Sequence, residues 1–385
     1  MSGTSLDGID AVLVEFSGGQ VQLNGQGKDA RSPLSSSLPG GERDKVSLRE
    51  FHIIGTHYQA YGQPLKDALL ALHHPINDEL HRAQLLGNEL ARLYAGATRA
   101  LLQQNGVTPD QVRAIGCHGQ TIRHCPEQDY SVQLGNAALL AELTGITVIG
   151  DFRSRDIAAG GQGAPLVPAF HDRVLRHPHI HRVIVNIGGI SNLTDLPPGH
   201  PATGFDCGPG NLLMDAWCMQ HLGKPYDDSG AWALTGEMLP ALLEQMLGEA
   251  FFALPPPKSS GRDLFNLPWL QGKLRGSERA EDVQATLLEL TCRTIAQAVQ
   301  RYCAGAEEIY LCGGGAHNRA LMNLLERALP HCRIRLTDTL GIGADWMEAI
   351  AFAWMARQAL CGETANLPAV TGARHPCLLG AIYPA

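Results

Sequence analysis

The chain predicts an α/β protein of two lobes, and three observations carry that expectation. Strand-like apolar runs end repeatedly in glycine turns: residues 183–187 lead into Gly188-Gly189, and 308–312 into Gly313-Gly314-Gly315. A third such turn, Gly3-Thr4-Ser5-Leu6-Asp7-Gly8-Ile9-Asp10, opens the sequence. Apolar runs also alternate with helical periodicity, the pattern of open α/β sheets. Finally, 385 residues with 44% hydrophobic and 18% charged content suffice for two cores.

In chain order, residues 9–16 read as a strand, with Ala11, Val12, Leu13 and Val14 as its apolar run. Over 17–46, Gly, Ser, Pro and Gln replace apolar residues, so this stretch reads as a surface insertion inside a hairpin. The returning strand is expected near 48–56. Leu80, Leu85, Leu86, Leu90, Leu93 and Leu101 recur at helical spacing over 75–104. A short strand at 114–117, a helix at 134–143 and a strand at 146–149 complete a first lobe, residues 1–152. In the second lobe, 153–385, strands at 183–187 and 308–312 alternate with helices at 211–221, 284–302, 317–329 and 346–360. Short extended segments at 371–384 end the chain and can return to the first lobe.

The totals exclude several classes. A net charge of −8 leaves no basic surface for nucleic acid or anionic lipid. Ten cysteines without C-x-x-C spacing read as buried thiols of a reducing compartment. Met1 leads directly into a polar turn, and no uncharged apolar run reaches the roughly 18 residues that span a bilayer. A cytoplasmic protein without nucleic-acid or membrane partners is expected. His177, His179 and His181 alternate without acidic or cysteine partners at ligand spacing, so they read as exposed loop residues and no protein-held metal is expected.

A glycine turn between strand and helix aims unpaired N–H groups at one point, which suits phosphate. Gly188, Gly189, Gly313, Gly314 and Gly315 meet that requirement, and a nucleotide between the lobes follows. The first turn adds the Thr4 and Ser5 hydroxyls and the Asp7 and Asp10 carboxylates, suited to phosphate oxygens and to Mg²⁺ through water. It lacks the Lys-Ser/Thr ending of a P-loop. Asp206 precedes Gly208-Pro209-Gly210 and is either a general base or a residue that orders the turn. The polar stretch 151–165 is either a substrate clamp or a charged linker, and Glu348 either a first-turn charge or a cleft carboxylate.

These motifs, together with Cys117-His118-Gly119-Gln120-Thr121-Ile122-Arg123-His124 and the segments 151–165, 205–214 and 346–354, resemble one family over nearly the whole chain. It is that of the anhydro-N-acetylmuramic acid kinases, sugar kinases of the hexokinase/Hsp70/actin superfamily. The resemblance implies two ribonuclease-H-like lobes with ATP and Mg²⁺ in the cleft between them. Gly3, Thr4, Ser5, Leu6, Asp7, Gly8, Ile9 and Asp10 would form the first phosphate loop, Gly188 and Gly189 the second. Gly313, Gly314 and Gly315 would lie against the nucleoside. Asp206 matches the catalytic base, with Glu348 helping to place its water, and His118, Gln120, Arg155, Asp156 and Gln162 are substrate-side candidates.

The implied reaction opens the anhydro bridge of 1,6-anhydro-N-acetylmuramic acid with water and phosphorylates O6, a step of peptidoglycan recycling. A homodimer is implied as well. Family members carry residues before the first turn that form an interior strand, whereas this chain begins at the turn. The expectation is therefore that the first strand is truncated and the true start lies upstream. Two rivals are a catalytically impaired sugar- or nucleotide-binding relative, and a glycosidase using Asp206 and Glu348 as its carboxylate pair. The glycosidase leaves the three glycine turns without a use.

Overall fold

The computed structural model describes residues 8–17, 51–262 and 264–385. Gly3, Thr4, Ser5, Leu6 and Asp7 of the first turn, and nearly all of the 17–46 insertion, lie outside the described residues.

Strands β1 (Gly8–Phe16) and β2 (Phe51–Ala60) form an antiparallel pair. Gly8, Ile9 and Asp10 are thus strand residues rather than turn residues. Gly8 lies opposite Ala60, and a Cβ there would come within 2.4 Å of the Gln59 carbonyl oxygen. Helix α1 (Glu79–Asn105) corrects the expected apolar face: Leu80 and Leu85 are 77% and 55% exposed. The helix turns Ala83, Gly87, Leu90, Ala91 and Tyr94 inward instead. Its small residues allow close approach, and the Asn136 N–H donates to the Gly87 carbonyl at 3.1 Å.

Next come β3 (Ile115–Gly116), β4 (Gln120–Cys125), β5 (Tyr130–Leu134), α2 (Ala137–Thr144) and β6 (Val148–Gly150). The antiparallel β4–β5 hairpin is absent from the sequence reading, because Thr121, Arg123, His124, Ser131 and Gln133 dilute the apolar alternation. Strand β3 runs parallel to β6.

The second lobe contains α3 (Val167–Leu175), β7 (Arg182–Ile187), β8 (Ile190–Leu196), β9 (Thr203–Pro209), α4 (Leu212–Leu222) and α5 (Ala280–Tyr302). It continues with β10 (Glu308–Cys312), α6 (Arg319–Ala328), β11 (Arg333–Leu336) and α7 (Met347–Cys361), and β12 (Ala381–Tyr383) closes the chain. The sheet order is β11-β10-β7-β8-β9. β7, β8 and β9 form an antiparallel meander, while β10 and β11 run parallel to β7. A meander extended by two parallel strands on its first strand is the ribonuclease-H-like arrangement, and the protein is of the expected α/β class.

Val183, Ile184 and Val185 have no exposed surface, since both sheet faces are covered. Helix α5 packs on β8 and β9, and α3 on β8 and α7. Helix α7 also reaches β1 and β3. Gly116 permits that approach, because a Cβ there would lie 2.4 Å from the Phe352 carbonyl oxygen. β12 pairs antiparallel with β6.

One histidine departs from its expected exposure. His181 is buried at the entrance to β7, and its Nε2 lies 2.6 Å from Asp195 Oδ1 on the neighbouring strand β8. The strand start, not the loop composition, sets its surroundings. All ten cysteines are free thiols, with Cys207, Cys218, Cys292, Cys303, Cys312 and Cys377 buried.

Candidate active site

The strand register builds the site. Asp206 on β9 lies opposite Asn192 on β8, Asn192 opposite Asn186 on β7, and Asn186 beside Cys312 on β10. Residues opposed across a sheet project from the same face, so these four form a row. Asp206 and Asn186 are two strand spacings apart, each about 4.8 Å. Glu348, in the first turn of α7, accepts a hydrogen bond from Asn186 Nδ2 at 3.1 Å. The sheet and the helix thereby bring two carboxylates to one face. Gly313 leaves room for the Asn186 amide: a Cβ there would lie 2.4 Å from Asn186 Oδ1.

Asp206 is held from the outer edge of β9. Its N–H donates to the Lys258 carbonyl at 3.0 Å, and its Oδ2 accepts from the Ser260 N–H at 2.8 Å. Burial pushes the carboxyl up to about 7, against the opposing effects of the Ser260 bond and the Lys258 charge. Such a group exchanges a proton near neutrality, as a general base must. Burial also raises the Glu348 carboxyl, opposed by Arg153 and the Asn186 bond.

Arg153 links the 151–165 stretch to this face. It donates to the Gly163 carbonyl at 2.5 Å and to His118 Nε2 at 2.8 Å. His118 Nδ1 lies 2.7 Å from the Gly119 carbonyl oxygen. An Nε2 that accepts and an Nδ1 that donates make His118 the neutral Nδ1–H tautomer. Burial pushes Arg153 down to about 10, against the pull of Glu348 and Asp156, so it stays cationic at neutral pH.

The other substrate-side candidates divide. Gln162 Oε1 accepts from Ser259 Oγ at 3.3 Å, next to the residue that holds Asp206. Gln120 is fully buried at the start of β4. Arg155 is exposed. Asp156 is wholly buried, accepting from the Gly163 N–H, Asn366 Nδ2 and Thr371 Oγ1 at 2.8, 2.5 and 2.8 Å. It ties the stretch to the 366–371 segment. Hydrogen bonds, the charge pull between Arg153 and Glu348, and strand register therefore link His118, Glu348, Asp206 and Gln162, while Arg155 faces solvent and Asp156 the interior.

Arg153, Asn186 and the 258–260 segment escape the sequence reading as site residues. Arg153 and Arg155 are the same residue type two positions apart, and only the short helix Ser154–Ala158 decides which points inward. For Asn186 a signal exists, an amide ending a strand just before a glycine pair.

The glycine turns differ in what requires glycine. The carbonyls of Gly188 and Gly189 accept from the N–H groups of Asn211 and Gly210, at 2.8 and 2.9 Å, where α4 begins. Among the described residues, a Cβ on Gly188 or Gly189 would meet only ordinary contacts, at 3.6 and 3.8 Å. Packing against the described residues does not demand glycine there, and a backbone without side chains suits close approach of a phosphate. Gly313 and Gly315 are required by the protein itself. Their Cβ atoms would lie 2.4 Å from Asn186 Oδ1 and 2.3 Å from Ile187 Cγ2. Gly314 is exposed, with its nearest neighbour at 3.8 Å. Among the described residues, no group of three His, Cys, Asp or Glu side chains is placed to hold a metal.

A ribonuclease-H-like sheet carrying Asp206, with Glu348 of α7 bonded to the same row and glycine turns at its strand ends, defines a phosphotransferase. The family anhydro-N-acetylmuramic acid kinase matches residues 35–385. Proteins of that name from Nitrosospira multiformis and Nitrosomonas europaea are 55% and 54% identical, each over 100% of this chain and 98% of its own length. A solved structure of the activator of the 2-hydroxyisocaproyl-CoA dehydratase from Clostridium difficile with bound ADPNP is similar at TM-score 0.42 and 11% identity, over 80% of this chain and 87% of that one. So slight a structural likeness carries no argument. The chain belongs to the anhydro-N-acetylmuramic acid kinase family.

Proposed function

We infer that this chain converts 1,6-anhydro-N-acetylmuramic acid, water and ATP to N-acetylmuramic acid 6-phosphate and ADP, within peptidoglycan recycling. The observation that carries the reading is the row of Asp206, Asn192 and Asn186 with Glu348 bonded to its end, on a sheet whose β7 runs into the Gly188-Gly189 turn. Asp206 takes a proton from water, whose oxygen bonds to the anomeric carbon as the bond from that carbon to O6 breaks. O6 accepts the γ-phosphoryl group, and the bond to the β-phosphate oxygen breaks to release ADP. Glu348, fixed by Asn186, orients the same water.

The nucleotide phosphates would lie at Gly188 and Gly189, with Gly313, Gly314 and Gly315 toward the nucleoside and the Gly3-to-Asp10 turn as a further loop. Mg²⁺, when bound, neutralises charge on the transferring phosphoryl. Among the described residues no three-ligand cluster is placed for it, and an ion carried by phosphates and water fits that, as Mg²⁺ usually binds. Among the described residues, Arg153 Nε is a buried donor without a hydrogen-bond partner, suited to the lactyl carboxylate of the sugar. His118, Gln120 and Gln162 line the same side.

We place the enzyme in the cytoplasm as a homodimer. Ten free cysteines support the compartment, and light scattering tests the dimer. No described helix is long and apolar enough to cross a membrane. The lobes divide near 152, with β12 returning to β6 of the first.

The test is incubation with ATP, Mg²⁺ and 1,6-anhydro-N-acetylmuramic acid. ADP and a ring-opened phosphorylated sugar are expected in equal amounts. Ring opening without ATP would establish the glycosidase instead, and binding without turnover the impaired relative.

A further inference from the structure

We propose a second binding site behind Asp206, on the opposite face of β9, that takes a small sugar phosphate. Side chains alternate along a strand, so Phe205 points away from the face that carries Asp206, and Cys207, the extra residue where the register with β8 shifts, lines the cleft beside it. The Phe205 ring packs 5.1 Å from that of Tyr302 at the end of α5. Beside them lies a cleft of about 380 Å³, lined by Cys207, Phe252, Lys258, Gln297, Arg301 and Tyr302 among others. That volume suits a small organic ligand rather than a bare ion.

The charge in this cleft is one-sided. Among the described residues, no Asp or Glu lines it. Lys258 Nζ donates to the carbonyls of Phe251 and Phe252 at 3.2 and 3.5 Å and stands over the Phe251 ring. Arg301 stands over the Tyr302 ring at 5.2 Å. Among the described residues, neither cation has a carboxylate within ion-pair distance. Burial lowers the Lys258 ammonium and the charge of Arg301 lowers it further, against the opposing effects of Cys207 and Asp206. An anion between Lys258 and Arg301 would relieve the repulsion of the two cations. A guanidinium matches phosphate bidentately, the Gln297 amide adds a donor, and Phe252 and Tyr302 offer flat walls to a sugar ring.

The site would act on the reaction through Lys258, whose carbonyl holds the Asp206 N–H while its ammonium lines the cleft. That consequence rests on Asp206 as the base; binding itself does not.

The experiment is calorimetric titration of the full chain, its nucleotide site saturated with Mg²⁺ and a non-hydrolysable ATP analogue. Glucose 6-phosphate is the probe and glucose the control. Saturable binding of glucose 6-phosphate alone is expected, weakened about tenfold or more by Arg301→Ala. Arg301 is exposed, so its removal leaves the fold intact. Arg293→Ala, on the same helix but paired with Glu289, is expected to bind like wild type. Absence of saturable binding, equal affinity in Arg301→Ala, or equal binding of glucose would overturn the site. None of these readouts depends on turnover.

Discussion

Asp206 can serve as a base only in the fraction of molecules where it is ionised. With its carboxyl raised to about 7 by burial, that fraction falls below neutrality. The acid limb of kcat/KM should therefore have its midpoint near pH 7, well above an ordinary aspartate. Asp206→Asn should lower kcat by roughly 10²-fold or more, the usual reach of general-base catalysis, while calorimetry shows unchanged ATP affinity. Near-normal turnover would remove Asp206 from this role. Arg153→Lys keeps a positive charge but loses the fork that binds Gly163 and His118 together. It should raise KM for the sugar more than it lowers kcat; an unchanged KM would place the carboxylate elsewhere. Asp206 stood out in the sequence as a carboxylate beside Gly-Pro-Gly, where a general base and a residue that orders the turn stayed open as alternatives. Arg153 did not, because choosing between it and Arg155 requires the direction of one short helix.

At the scale of elements, two glycines that look alike in the sequence separate by what surrounds them. Gly313 has φ +81°, and a Cβ there would strike Asn186 Oδ1 and the Ile187 carbonyl. Gly313→Ala should cost about 1–3 kcal/mol of stability, read as a lowered urea midpoint, and should displace the amide that holds Glu348. Among the described residues, Gly188→Ala makes only an ordinary contact, with the Ile190 carbonyl oxygen at 3.6 Å, so its urea midpoint should stay near wild type while KM for ATP rises. The reverse pattern would contradict the assignment of Gly188 to phosphate. Strands that end in such turns, β7 and β10, were legible from their apolar runs. β9 was hidden because Gly204, Asp206, Gly208 and Pro209 are poor strand formers, kept extended by the neighbouring β8. The row across the sheet was hidden with it, since register appears only once β8 and β9 are paired.

For the whole molecule, two buried groups push acid stability in opposite senses. His171 lies 1% exposed beneath the sheet, its Nδ1 2.9 Å from Thr194 Oγ1, and burial pushes it down to about 3. The folded protein keeps this ring neutral while the unfolded chain protonates it below about 6.5. Its contribution is therefore present above pH 6.5 and lost as pH falls toward 3, about 2 kcal/mol by pH 5. Asp206 works the other way. Its folded pKa, about 7, lies above the unfolded value of 3.8, so the folded state holds the extra proton between them and gains stability as pH falls through that window. The two slopes offset each other between pH 7 and 5, and the wild-type urea midpoint should change little from this pair. Removing either one exposes the other. His171→Asn, which does not titrate, should become relatively more stable at pH 5 than at pH 7, and Asp206→Asn relatively less. Parallel urea titrations of the two variants and wild type measure both slopes. Identical pH dependence in all three would mean that neither group is held as the structure holds it.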